Sequence, residues 1–148
     1  MYASSENPTN VYSTLMPTKN AENLQQIQSL LAFSSEHSSE GAEVLLGDFN
    51  CSLPKGQIAG DFEASCQAVV DQGYLDPYSE LINDCTFCGE NSLTRNDPKL
   101  SLVLDHVFIR HDKIEVKKAA RTYVETVSLE GTKTNLSDHF GVFVKAGL

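Results

Sequence analysis

Val44-Leu45-Leu46-Gly47-Asp48-Phe49-Asn50 sets three apolar residues directly before a glycine, a carboxylate, an aromatic ring and an amide. A short apolar run bounded by turn residues reads as a buried strand. Its end is where a sheet hands side chains to a shared edge. Two further stretches repeat the arrangement: Leu104-Asp105-His106 within a second apolar run, and Ser137-Asp138-His139 near the C-terminus. Acid, amide and imidazole groups thus sit at three predicted strand ends.

Around these stretches the pattern alternates between strands and helices. Val11 to Leu15 is a short strand closed by Pro17. Asn20 is a candidate N-cap, with Glu22 in the first turn of a helix whose Leu24, Ile27, Leu30 and Leu31 recur at helical spacing over residues 21 to about 34. Glu43 to Phe49 follows as a strand, and 52–60 as a loop carrying Pro54, Gly56 and Gly60. Asp61 can cap a second helix with Phe62, Cys66, Val69 and Val70 on one face, ending at Gly73. Residues 76–99 read as irregular, and 100–110 as a central strand. One more strand is expected within 114–127, a turn or loop over 131–135, and a closing strand over 140–144. The order predicts a single mixed α/β domain spanning 1–148.

Composition limits the function classes. Eleven Lys and Arg against twenty Asp and Glu give a net charge of -9, which disfavours a general binder of nucleic acid, although bound cations and a local basic patch would still permit a nuclease. Mean hydropathy is -0.24, and no window reaches the apolar length of a membrane span. No basic segment precedes an apolar one at the N-terminus, so a secretion signal is not expected and the cytoplasm is favoured. Cys85-Thr86-Phe87-Cys88 is a CxxC, which reads as a redox pair or half a zinc site, but Cys88 runs into Gly89-Glu90-Asn91 instead of opening a helix, and Cys51 and Cys66 make no second close pair for zinc. Reduced structural thiols are expected, with disulfides the alternative for an exported protein.

The chemistry of the three strand ends converges on phosphoester cleavage. Such a bond yields to a divalent cation on the phosphoryl oxygens, a base for water, and donors for the developing charge. Asp48 can position and deprotonate water, and Asn50 can donate its amide to a phosphoryl oxygen. His139 can donate to or protonate the phosphoryl group. Asp138 can ligate or orient a hard cation. Gly-Asp-Phe-Asn by itself is an ordinary turn, and Ser-Asp-His an ordinary cap. His37 and His111 read as surface residues, and His106 as a core or edge histidine. Asp105 differs, because a carboxylate in an apolar strand needs a partner, and His139 is the best candidate.

Gly-Asp-Phe-Asn at 47–50, Leu-Asp-His-Val-Phe-Ile at 104–109 and Ser-Asp-His-Phe at 137–140 together resemble the endonuclease/exonuclease/phosphatase superfamily. The likeness spans about 21–144. It implies a two-sheet sandwich, α/β/β/α in layers with mixed sheets, and hydrolysis dependent on Mg²⁺ or Mn²⁺. Carried over by motif, Asp48 and Asn50 stand near the attacking water, with Asp48 and Asp138 as metal-site carboxylates. His139 is the imidazole that contacts phosphate, and Asp105 orients it. The stretch 86–93 is more similar to the sphingomyelinase-like and general bacterial branches, which implies that Asn91 lies near substrate.

One departure matters. The family pattern also has an N-terminal half with an asparagine, a metal-ligating glutamate after an apolar strand, and a Thr-His pair; none is visible here. The chain therefore reads as the C-terminal half, with an apolar sheet face left uncovered and self-association or a completing partner expected. Three functions follow: a metal-dependent phosphoester hydrolase of a small molecule, lipid headgroup or nucleic acid; a non-catalytic binding or regulatory module without the metal glutamate; or a nuclease proper.

Overall fold

The structure is a computed structural model, and it describes residues 9–38, 41–53, 62–94, 97, 99–110 and 114–147. Strand β1 (Asn10–Leu15) leads through α1 (Asn20–Glu36) into β2 (Glu43–Asp48), which pairs with β1 in parallel. After α2 (Glu63–Asp71), α3 (Pro77–Leu81), β3 (Phe87–Cys88) and β4 (Ser101–Leu102) comes β5 (Asp105–Arg110), antiparallel to β2. The order β1-β2-β5 makes β2, not the 100–110 segment, the middle strand. A second sheet joins β6 (Glu115–Thr122) to β9 (Gly141–Gly147). A small hairpin pairs β7 (Val127–Leu129) with β8 (Thr132–Thr134). The protein is thus mixed α/β, as the alternating pattern predicts.

Strand alternation decides what each sheet face meets. Leu45 and Phe108 turn to the helices, where Ile27, Cys66 and Val69 join them with Phe49 and Tyr74 in the main core. On the opposite face Val44, Val107 and Ile109 confront Val144 and Ala146 of the second sheet across a cavity of about 390 Å³. The described residues therefore supply a helix layer and two sheet layers. Beyond the second sheet's reach, Val11 and Leu15 on β1 are 58% and 73% exposed.

The helix begins at Asn20 itself, and Lys19 is the cap position, with no side-chain cap bond. Asp61 lies outside the described residues; α2 ends at Asp71 with Gln72 as its C-cap, and Gly73, where the end was expected, follows at φ +84°. Residues 76–99 are not wholly irregular: Asp76 caps α3 by accepting from Ser79 N–H, with Pro77 in the first turn. The 100–110 segment breaks at Val103-Leu104, because the Thr86 hydroxyl takes the N–H groups of Leu104 (3.0 Å) and Asp105 (3.2 Å). Tyr123, at φ +56°, divides β6 from β7. Glu130 and Gly131, at φ +48° and +80°, make a turn, while 132–134 within the expected turn or loop pair as β8 of a hairpin. The cysteines are not free thiols: Cys51 pairs with Cys66 and Cys85 with Cys88. A sequence separation of 3 or of 15 says little about which sulfurs a fold brings together.

Candidate active site

Gly47 lets β2 deliver Asp48 to the sheet edge. It sits at φ +139°, and a Cβ there would lie 1.9 Å from the Thr14 carbonyl oxygen on β1. Only glycine tolerates both conditions. One residue on, the Asp48 carboxylate accepts from Asn50 N–H at 2.8 Å and from Asn50 Nδ2 at 3.1 Å. Nδ2 also donates to the Met16 carbonyl at 2.8 Å. Both amide hydrogens of Asn50 are therefore engaged by protein acceptors. Asn50 thus locks Asp48 and ties it to the end of β1. Its left-handed φ of +46° suits asparagine.

In the register of β2 and β5, Asp48 lies opposite Asp105. Asp105 accepts from His139 Nδ1 at 2.7 Å, the pairing that its apolar setting predicts. This contact fixes the imidazole's orientation and raises the His139 pKa, with burial opposing and the Asp105, Asp48 and Asp138 charges adding. Burial raises the Asp48 pKa and the Asp105 charge adds to it, against the Asn50 N–H and the charge of His139. Asp48, Asn50, Asp138 and His139 line one cleft of about 520 Å³ together with Leu15, Lys19, Glu22 and Phe87. Asp105 stands behind His139.

Residues that sequence reasoning missed hold this arrangement. Asn23, fully buried on α1, donates to the Pro17 carbonyl at 2.9 Å and the Phe49 carbonyl at 2.8 Å, joining the ends of β1 and β2. A polar residue on the buried stripe of α1 was the available signal. Phe87 packs on the His139 ring at 4.8 Å and forms a β-bridge with it. The Thr86 carbonyl accepts Phe140 N–H at 2.8 Å. Asn91 does not line the cleft: it is fully buried, and its Nδ2 donates to the Ser137 carbonyl at 2.9 Å. It braces the loop that carries Asp138 and His139.

His106 points away from the cleft, as alternation along β5 requires. Its Nδ1 meets Asp76 at 2.7 Å and its Nε2 the Cys51 carbonyl at 2.7 Å. Both partners accept, so both ring nitrogens carry hydrogen and the buried pair is imidazolium with carboxylate. Burial pulls the His106 pKa down, but the Asp76 charge and hydrogen bond more than offset it and the net shift is upward. Asp76 moves the other way, its burial offset by His106 and by Ser79.

The cleft's donor chemistry fits a hard divalent cation, since Asp48 and Asp138 offer oxygen and Mg²⁺ is commonly held by one or two carboxylates with water and phosphate completing its shell. Among the described residues no trio of acid, histidine or cysteine ligands gathers there; the two such groups are Cys51, Cys66 and His106, and Cys85, Cys88 and Glu90.

No family model matches the sequence, and no curated protein matches it. Solved structures do. An endonuclease/exonuclease/phosphatase family protein from Bacteroides thetaiotaomicron aligns with a TM-score of 0.67 at 22% identity, over 92% of this chain and 48% of that one. A humanized D. rerio TDP2 aligns with a TM-score of 0.69 at 16% identity, over 97% and 57%. The mannosyl-6-phosphatase of B. thetaiotaomicron VPI-5482 gives 0.64 at 18% identity, over 93% and 51%. The chain spans about half the length of these structures. At such identities the likeness is one of architecture, and over more than nine-tenths of its length this chain has the fold of endonuclease/exonuclease/phosphatase family proteins.

Proposed function

We propose that this chain carries the phosphate-handling half of a divalent-metal-dependent phosphoester hydrolase. The observation that carries the reading is the Asp105–His139 contact beside Asp48 in a single cleft. Asp105 holds Nδ1 of the imidazole, which leaves Nε2 to hold a proton against a phosphoryl oxygen. Asp48, its carboxyl pKa raised by burial, is a better base for water than an ordinary aspartate. Asn50 keeps that carboxylate oriented. Asp138, with Asp48, would hold Mg²⁺ or Mn²⁺, which when bound neutralises charge on the phosphoryl oxygens.

The exposed Val11 and Leu15 favour completion of the cleft's outer wall by further polypeptide. The two disulfides favour an oxidising compartment over the cytoplasm. Among the described residues no helix is long and apolar enough to cross a membrane.

A second reading, a binding module without turnover, draws on the absence, among the described residues, of a closely gathered trio of acid, histidine or cysteine ligands at the cleft. Hydrolysis of an activated phosphodiester across a Mg²⁺ titration separates the two. The enzyme reading requires metal-dependent turnover that Asp48→Ala and His139→Ala each lower by at least about 10²-fold. Metal-independent background in all three proteins would leave the module. Comparing abasic DNA, sphingomyelin and inositol phosphates then distinguishes a nuclease from a small-molecule or lipid-headgroup enzyme.

A further inference from the structure

The Cys85–Cys88 disulfide encloses the two residues that hold the candidate active site in shape. Thr86 takes the N–H groups of Leu104 and Asp105 on its hydroxyl and that of Phe140 on its carbonyl. Phe87 packs on His139 and bridges to its backbone. Asp105 and His139 are therefore both anchored inside one four-residue loop closed by sulfur.

The two disulfides differ in access. Cys51 and Cys66 are both fully buried, whereas Cys85 is partly exposed at the loop's outer end. Arg121 on β6 places Nη1 at 3.6 Å from Cys85 Sγ and 3.5 Å from Cys88 Sγ, and reaches Glu90 with Nη2 at 2.7 Å. A guanidinium there occupies the space between the sulfurs and Glu90 where a metal ion would sit. It instead favours thiolate, the species that thiol–disulfide exchange needs. The same guanidinium lies 4.8 Å over the ring of Phe140, next to His139. One side chain thus touches both the sulfur pair and the site loop.

We propose that Cys85 and Cys88 form a thiol–disulfide exchange site whose redox state sets the order of the Asp105–His139 pair. A small dithiol is the partner chemistry. Its thiolate attacks Cys85 Sγ, the Cys85–Cys88 bond breaks, and Cys88 leaves as a thiolate that takes up a proton. The dithiol's second sulfur then displaces Cys85, so both cysteines end reduced and the dithiol ends as its disulfide. Opening the ring frees Thr86 and Phe87, and the anchors of Leu104, Asp105 and Phe140 loosen with them. The consequence for catalysis rests on the phosphoesterase reading; the coupling itself does not.

The test uses the full chain before and after treatment with dithiothreitol, with alkylation and mass mapping to identify which disulfide has opened. The expected result is opening of Cys85–Cys88 with Cys51–Cys66 intact. Amide hydrogen exchange at Leu104, Asp105 and Phe140 should then rise at least about tenfold, while Ile109, whose N–H is held by the Leu75 carbonyl, keeps its rate. A Cys85→Ala/Cys88→Ala variant should show the fast pattern with or without reductant, and if it does not fold, the wild-type comparison decides alone. Unchanged exchange at those three amides, a uniform rise across the chain, or prior opening of Cys51–Cys66 would each overturn the proposal. Phosphodiester turnover measured in parallel should fall on reduction. Absence of turnover in both states would count against the phosphoesterase reading and leave the exchange result decisive for the redox site.

Discussion

His139 Nδ1 lies 2.7 Å from Asp105 Oδ2, joining two segments separated by 34 residues into one hydrogen-bonded pair at the rim of the cleft. Asp105 comes from the start of β5 and His139 from the loop before β9, so the pair forms only when both sheets are in place. Its partners Thr86 and Phe87 belong to yet another segment. Function in this reading depends on packing between layers more than on any single motif.

Replacing Asp105 by Asn keeps the side chain's shape and removes its charge. An amide can present nitrogen or oxygen to Nδ1, so the imidazole loses its fixed tautomer. Turnover is expected to drop by about 10²-fold or more, with the unfolding midpoint little changed. Steady-state rates and a urea melt on the same preparation check this; equal rates would remove Asp105 from the mechanism.

The buried His106–Asp76 pair predicts a structural phenotype instead. Removing one partner leaves a charge or polar group unpaired in the core, at a cost of about 3–5 kcal/mol. His106→Ala should therefore unfold at markedly lower urea. The sign of the pH effect follows from the shifts. His106, raised above its ordinary 6.5, contributes stability that is complete below that value and is lost as pH climbs through the raised pKa. Asp76, lowered from 3.8, contributes above that value and loses it as pH falls further. The stability gap between wild type and His106→Ala should be widest between about pH 4 and 6.5 and narrow above.

Glu43 sits at the far end of β2 from the cleft. Burial would raise its carboxyl pKa, yet hydrogen bonds from Ser34, Ser38, Arg110 and Tyr74 hold it at about 2. Arg110 Nη2 reaches its two oxygens at 2.8 and 2.9 Å, and the guanidinium lies 4.6 Å over the Tyr74 ring. Because the pKa is depressed from 4.5, this stabilisation is present above pH 4.5 and is lost as pH falls towards 2. The shift corresponds to ~3 kcal/mol. Glu43→Gln should flatten the acid limb of the stability curve measured by urea unfolding; an unchanged limb would assign the acid sensitivity elsewhere.

Much of this architecture was legible because the signals were local. Val44 to Asp48, the helix expected over 21 to about 34 and the Asp105–His139 pairing all follow from periodicity or from the cost of an unpaired acid. What escaped was non-local or disguised. Asp76-Pro77 carries a helix-start signature that the surrounding loop composition hid. The break at Val103-Leu104 depends on a hydroxyl from Thr86, 18 residues earlier in sequence. The bond from Asn91 to the Ser137 carbonyl, 46 residues away, was equally out of reach, because only the tertiary fold tells which way a side chain faces. The disulfides escaped for the same reason.

Whether His139 faces phosphate in the cleft is read by NMR of the imidazole resonances during addition of inorganic phosphate with Mg²⁺. His139 and His106 lie in one molecule, one in the cleft and one buried against Asp76, so the second is an internal control. Phosphate bound at the cleft should give saturable shifts of the His139 ring signals with those of His106 unmoved. A still His139 at saturating phosphate, or equal movement of both rings, would contradict it.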